Sequence, residues 1–180
     1  YIITNNDNTP IIDFNTTSSS GAESISSKVI TVDLSAASSQ NVTVNYVVTG
    51  TATGSGSGTD YTLADGTLTI NAGATSGTIT IATIVNDSLD EVNETVIVTL
   101  SSPGNATLGS DSVHTYTIND NDDAPVVDFN TTISSGDESV SSKVITIDLS
   151  AVSTKNITVN YAVTGTASGS GNDYTLGSGT

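Results

Sequence analysis

Residues 42–48 read Val-Thr-Val-Asn-Tyr-Val-Val, with large apolar side chains at every second position. A period of two places Val42, Val44 and Tyr46 on one face of an extended strand, a conformation that β-branched and aromatic residues favour. The same alternation recurs over 27–34, 67–70, 77–85, 94–100 and 112–118, and a shorter apolar segment spans 11–14. About seven strands in each ~115 residues predict an all-β chain of immunoglobulin-like antiparallel β-sandwiches.

A second pattern divides the chain into tandem repeats. Residues 10–56 align without gaps with residues 125–171, and 35 of the 47 aligned pairs are identical. The segment at 115–125, Thr-Tyr-Thr-Ile-Asn-Asp-Asn-Asp-Asp-Ala-Pro, ends one copy and begins the next, and residues 1–9 resemble its latter part. We therefore expect a C-terminal strand and linker of a preceding repeat over 1–9, a complete sandwich over 10–124, and the first half of a second repeat over 125–180.

The charge balance of the chain is strongly acidic. The 180 residues include 19 acidic and 3 basic side chains, for a formal net charge of −16. This surplus argues against nucleic-acid binding and docking on anionic membranes, because both need a basic surface, and it fits divalent cations. The sequence contains no cysteine, which excludes disulfides and thiolate metal sites. Since no apolar run approaches the ~20 residues of a spanning helix, no membrane insertion is expected in this segment.

The sequence shows no set of residues suited to catalysis. His114 is the only histidine, and nothing places a nucleophile beside it. Carboxylate pairs that hydrolyse glycosides need a substrate cleft, and the chain offers only 2 Phe, 6 Tyr and no Trp as sugar platforms. We therefore predict no catalytic residues, no residues that bind an organic cofactor, and no enzymatic activity.

The predicted strand order gathers acidic residues at one end of the sandwich. If successive strands run alternately up and down, the segments that leave every second strand share one end. Together with the start of the strand at 94, these segments hold Glu23, Asp60, Asp87, Asp90, Glu91, Glu94, Asp120, Asp122 and Asp123, whereas the opposite loops hold only Asp111. Crowded carboxylates repel one another, and Ca²⁺ takes six to eight oxygen ligands, so the pattern predicts a calcium site. An extra or missing strand between Val48 and Thr67 would move Asp60 to the other end.

Four stretches of the sequence form a combined motif. They are Gly50-Thr-Ala52 with Gly58-Thr-Asp-Tyr61, Gly66-Thr-Leu-Thr-Ile70 with Gly73, Asn86-Asp-Ser-Leu-Asp-Glu-Val-Asn-Glu94, and Thr117-Ile-Asn-Asp-Asn-Asp122. The combination resembles the Calx-beta family, the calcium-binding sandwich of sodium–calcium exchangers and many surface adhesins. The resemblance covers residues 10–124 completely and residues 125–180 as a first half, and it implies the same sandwich fold.

The resemblance also implies which residues bind the metal. The implied ligands are Glu23, Asp60, Asp87, Glu91, Asp120 and Asp122. Asn86 and Asn121 stand where acidic residues are usual, which implies fewer or weaker calcium ions than a full site holds. Glu94 matches an acidic position that either binds the ion or caps the loop. Further candidates are Glu138 and Asp173 in the second repeat, and Asn5 and Asp7 in the remnant of a preceding site.

Three functions remain open at this point. The first is a calcium-rigidified stalk, adhesive array or filament array in a large secreted or cell-surface bacterial protein. Its partners would be neighbouring repeats of the same chain and, in a filament, identical chains. The second is a calcium-sensing regulatory module, which a micromolar dissociation constant would favour. The third is recognition of a glycan or a surface by exposed loops. The close identity of the repeats favours the first function.

Overall fold

A computed structural model describes residues 1, 8–55, 58–169 and 173–180. In this part of the chain every regular element is a β-strand, so the predicted all-β sandwich class is confirmed. The strand and linker predicted over 1–9, with Asn5 and Asp7, fall largely outside the described residues. The structure describes no helix long and apolar enough to cross a membrane.

The chain forms two compact units. The first comprises Tyr1–Ser88 and Val92–Asn121, and the second comprises Leu89–Glu91 and Asp122–Thr180. The repeat boundaries inferred from the alignment stay predictions. The strands of the first unit are β1 (Ile11–Phe14), β2 (Ser18–Ala22), β3 (Ser27–Leu34), β4 (Val42–Gly50), β5 (Gly66–Ile70), β6 (Ser76–Ala82), β7 (Glu94–Gly104), β8 (Thr107–Leu108) and β9 (Val113–Asn119).

Two sheets make up the first unit. One has the strand order β6-β3-β1-β8, and the other has the order β2-β9-β7-β4-β5. The pairings are antiparallel except at two edges, where β1 pairs with β8 and β2 pairs with β9 in parallel. Alternate side chains of both sheets point inward, so Ile30 and Val32 of β3 share one core with Val96 and Val98 of β7.

The strand β2 lies between the predicted strands at 11–14 and 27–34, where the sequence predicts no strand. Its sequence, Ser-Ser-Ser-Gly-Ala, has no β-branched or aromatic side chain and therefore no strand signal. The strand forms because it pairs with the edge of β9, with Ser18 opposite Thr115 and Ala22 opposite Asn119. The chain thus leaves one sheet after β1 and enters the other before Glu23.

The only histidine is part of this edge. His114 is buried in β9, and its ring centroid lies 5.6 Å from that of Phe14. One ring nitrogen, Nδ1, lies 2.6 Å from the carbonyl oxygen of Thr16, and Nε2 lies 2.8 Å from the hydroxyl of Ser19. The sequence indicated no hydroxyl beside His114, and the structure differs because the pairing of β2 with β9 brings Ser19 to it. Both ring nitrogens thus join β9 to the β1–β2 segment.

The second unit reproduces the beginning of the first. Its strands β10 (Val127–Phe129) and β11 (Ile147–Leu149) pair in the register of β1 with β3: Val127 lies opposite Leu149, as Ile12 lies opposite Leu34. Phe129 is 56% exposed, whereas the equivalent Phe14 is 3% exposed. The difference arises because, among the described residues, no second sheet covers β10 and β11.

Candidate metal centre

Backbone hydrogen bonds bring the predicted acidic segments together at one end of the first unit. The amide of Glu23, just after β2, donates to the carbonyl of Asn119 at the end of β9 (3.0 Å). Beyond β6, the amide of Val85 donates to the carbonyl of Asp60 (2.9 Å). The segment after β2 therefore meets the end of β9, and the segment after β6 meets the loop after β4.

Three of the predicted ligands form a compact carboxylate group. Glu23, Asp87 and Asp122 each place one carboxylate oxygen within 4.8 Å of the other two. Glu23 is 6% exposed, whereas Asp87 is exposed and Asp122 is half-buried. Like charges at this separation repel by about 1 kcal/mol in water, and by several times more where burial lowers the dielectric constant. A divalent cation would remove that repulsion.

The donor chemistry of this group suits Ca²⁺. Carboxylate oxygens are hard ligands, and calcium accepts six to eight oxygens in a flexible geometry. Glu23, Asp87 and Asp122 would supply the charged ligands, and backbone carbonyls and waters could complete the shell. No nitrogen or sulfur ligand takes part in the group, which is a composition typical of calcium rather than zinc.

Amide side chains hold the loops that carry these carboxylates. Nδ2 of Asn121 donates to Oδ1 of Asn86 (3.3 Å), and Nδ2 of Asn86 donates to the carbonyl of Asp87 (3.3 Å). Oδ1 of Asn93 accepts from the amide of Asp120 (3.1 Å). Asn86 and Asn121, which the sequence placed at ligand positions, thus link the loop before β7 to the segment after β9.

Asp60 makes hydrogen bonds within the loop that follows β4. Its Oδ2 accepts a hydrogen bond from the amide of Thr53 (2.6 Å), and its own amide donates to the carbonyl of Thr53 (2.9 Å). The second repeat has the same bond, from the amide of Ser168 to Oδ2 of Asp173 (2.6 Å). Asp60 therefore closes the loop that follows β4, and Asp173 closes the equivalent loop of the second repeat.

The remaining candidates lie outside the group of three. Glu94 begins β7 opposite Ile118, Asp120 follows β9, and Glu138 is exposed in the second unit. Glu91 belongs to the second unit, as part of Leu89–Glu91. The ligand role stays a prediction for every candidate: Glu23, Asp60, Asn86, Asp87, Glu91, Glu94, Asp120, Asn121, Asp122, Glu138 and Asp173.

The contacts of Asp90 with Ser153 and Lys155 could not be predicted from the sequence, which placed Asp90 only among nine acidic residues at one end. Asp90 is buried, and its Oδ1 lies 2.5 Å from Nζ of Lys155. Hydrogen bonds from Lys155 and then from Ser153 lower the pKa of the Asp90 carboxyl below its usual value. These partners lie more than 60 residues away along the chain, so no local pattern could have indicated them.

Comparisons with known proteins agree with the β-sandwich fold. The family model described as Calx-beta domain matches residues 5–122 and again residues 120–180. No curated protein matches the sequence. Among solved structures, the apo form of the Calx CBD1 domain superposes with a TM-score of 0.54 at 21% identity, over 64% of this chain and 100% of that one. The Calx CBD2 domain gives 0.52 at 15% identity, over 62% of this chain and 86% of that one.

A two-domain structure is also similar. The calcium binding domain CBD12 of CALX1.1 superposes with a TM-score of 0.53 at 22% identity, over 72% of this chain and 53% of that one. The chain thus spans about half of that structure, and at this identity the likeness concerns the fold alone. The family itself supports the predicted ion, because Calx-beta domains bind Ca²⁺. Since its model matches nearly the whole sequence, the chain belongs to the Calx-beta domain family.

Proposed function

We propose that this chain is a calcium-binding structural repeat array from a large secreted or cell-surface protein. The observation that carries the proposal is the group formed by Glu23, Asp87 and Asp122, whose carboxylate oxygens lie within 4.8 Å of one another. Ca²⁺ bound by these side chains would tie the segments after β2, β6 and β9 to one another. The function is then cation-dependent stiffness.

The position of Asp122 in the sequence supports a role at the join between repeats. It lies three residues before Pro125, the residue at which the second copy begins. Without the cation, the repelling carboxylates would loosen the segment that leads into the next repeat. With the cation, Asp122 would be held to the sandwich that precedes it. Neighbouring repeats are therefore the proposed partners, and adjacent domains also occur in the similar CBD12 structure.

The proposed location follows from the affinity that a structural calcium site needs. Extracellular calcium modules bind with dissociation constants of about 10⁻⁴–10⁻³ M, and such sites stay occupied only where the ion is abundant. A stalk outside the cell meets that condition. Adhesion to a surface or glycan, and assembly of chains into a filament, are compatible with this role. Calx-beta domains are regulatory or binding domains rather than catalytic ones, and we propose no enzymatic activity here.

Distance measurements between spin labels test the proposed stiffness. Because the chain has no cysteine, Thr80→Cys and Thr146→Cys, both at exposed positions, would place one label in each unit. We expect the distance distribution to narrow when calcium is added and to broaden again in EDTA. The combined Asp87→Asn and Asp122→Asn change should abolish the response. Asp123→Asn removes a neighbouring charge outside the group and should leave it intact.

Two results would contradict the stalk function. Distributions of equal width with and without calcium would show that the ion does not stiffen the array. A large shift of the mean distance at micromolar calcium would instead favour a sensor, because a structural site would be empty at that concentration.

A further inference from the structure

Asp90 makes a dense set of contacts with the turn at residues 153–155. Its Oδ1 lies 2.5 Å from Nζ of Lys155, and its Oδ2 accepts from the hydroxyl of Ser153 (2.7 Å). Its backbone carbonyl accepts from the amide of Thr154 (3.1 Å) and from the hydroxyls of Ser153 (3.0 Å) and Thr154 (3.3 Å). Both the side chain and the main chain of Asp90 are therefore held by one Ser-Thr-Lys turn.

Burial makes the charge of Lys155 important to this contact. Asp90 is 4% exposed, and a buried carboxylate is costly unless it is paired and hydrogen-bonded. The Lys155 side chain is 37% exposed, so its stem reaches from solvent and its ammonium group meets the carboxylate. The hydroxyl of Ser153 could not replace that cation.

The internal repeat provides a natural comparison for the same turn. Residues 153–155 align with residues 38–40, which read Ser-Ser-Gln. The local backbone is alike in both copies, because the amide of Lys155 donates to Oγ of Ser153 (3.0 Å) and the amide of Gln40 donates to Oγ of Ser38 (3.1 Å). The two turns therefore differ mainly in the third side chain, which is cationic at 155 and neutral at 40.

From these contacts we infer that Asp90 and Lys155 form a recognition pair between the acidic loop of one repeat and the Ser-Thr-Lys turn of the repeat that follows it in sequence. Gln40 and Lys155 occupy the same position in the two repeats. The residue at this position then determines whether a repeat can follow one whose loop carries Asp90. A turn with lysine neutralises the buried carboxylate, and a turn with glutamine leaves it buried without its cation. The pair is separate from the proposed calcium group, which contains neither residue.

Amide hydrogen exchange in the full 180-residue chain tests the pair. The reporter is the amide of Thr154, because its acceptor is the main-chain carbonyl of residue 90 and remains in every side-chain variant. We expect Lys155→Gln, which installs the residue of the first repeat, to speed exchange at Thr154 by about tenfold or more. Asp90→Asn should do the same, and Lys155→Arg, which keeps the charge, should stay within about twofold of the parent.

The double variant and a matched control complete the design. If the two residues act as a pair, Asp90→Asn with Lys155→Gln should exchange no faster than the worse single variant, because the second change has nothing left to break. Gln40→Lys makes the reverse change at the equivalent position and should leave Thr154 unaffected. Exchange within about twofold of the parent in Lys155→Gln, or single effects that multiply in the double variant, would overturn the inference. Exchange of β7 and β9 amides verifies that each variant is folded.

Discussion

The hydroxyl of Tyr116 lies where residue 21 would carry its side chain. A Cβ built on Gly21 would lie 2.5 Å from the Tyr116 hydroxyl oxygen and 2.7 Å from Cδ1 of Ile25. The Tyr116 ring is fully buried and cannot move aside freely, so a larger residue at position 21 would strain the pairing of β2 with β9.

Gly21→Ala should therefore destabilise the first sandwich. We expect a loss of about 1–3 kcal/mol in the free energy of unfolding, the usual cost of overpacking. The matched control is Gly136→Ala at the equivalent position of the second repeat, where a Cβ would meet nothing within 4 Å. That variant should stay within about 0.5 kcal/mol of the parent. Urea unfolding measures both, and equal losses in the two variants would refute the steric explanation.

Burial of Tyr116 should also make the stability of the fold sensitive to alkali. Burial raises the pKa of Tyr116 above 10.0, and its hydroxyl has no hydrogen-bond partner among the described residues. Above about pH 10 the unfolded chain loses this proton more readily than the folded one, so stability falls as the pH rises towards the folded pKa. Tyr61, whose pKa is raised by burial and then by Asp60 and Asp65, acts in the same direction.

Tyr116→Phe isolates this effect. At pH 7 the variant should unfold within about 1 kcal/mol of the parent, because the hydroxyl that it removes makes no hydrogen bond. Between pH 9 and 11, its stability should decline less steeply than that of the parent. Thermal unfolding across this range measures the slope. Identical slopes would show that Tyr116 does not contribute to the alkaline loss.

The bond between Asp60 and Thr53 separates loop closure from metal binding. Asp60→Ala removes the acceptor for the Thr53 amide, so we expect a loss of about 1–2 kcal/mol in EDTA, where no ion is bound. Asp60→Asn keeps an acceptor oxygen and should lose less. Unfolding in EDTA gives the loop effect, and the added stability in calcium gives any ligand effect. An Asp60→Ala variant as stable as the parent in EDTA would contradict loop closure.

Much of the fold could be predicted from hydrophobic periodicity. The alternation in β3, β4, β7 and β9 directly reflects which face of each strand is buried. β2 was missed because Ser18–Ala22 has no large side chain to alternate, and its strand conformation depends on pairing with β9. The bounds of several strands also shift by a few residues, as expected where hydrogen bonds rather than side chains decide the ends.

The candidate site could be predicted from the sequence for a different reason. Glu23 lies between β1 and β3, and Asp87 and Asp122 follow β6 and β9, so strands that alternate in direction bring all three to one end even without β2. The bond from Thr53 to Asp60 depends on the path of a single loop, and the contact between Asp90 and Lys155 depends on tertiary placement. Neither leaves a periodic signal in the sequence, because each joins residues through geometry that hydrophobic patterning does not specify.

Calorimetric titration of calcium into the full chain tests the central claim most directly. We predict saturable binding that weakens by about tenfold or more in Asp87→Asn and in Asp122→Asn, because each variant removes one charged ligand. Asp123→Asn, which removes the same charge from an exposed neighbour, should bind within about twofold of the parent. Absence of binding in the parent, or equal weakening in all three variants, would contradict a calcium site formed by Glu23, Asp87 and Asp122.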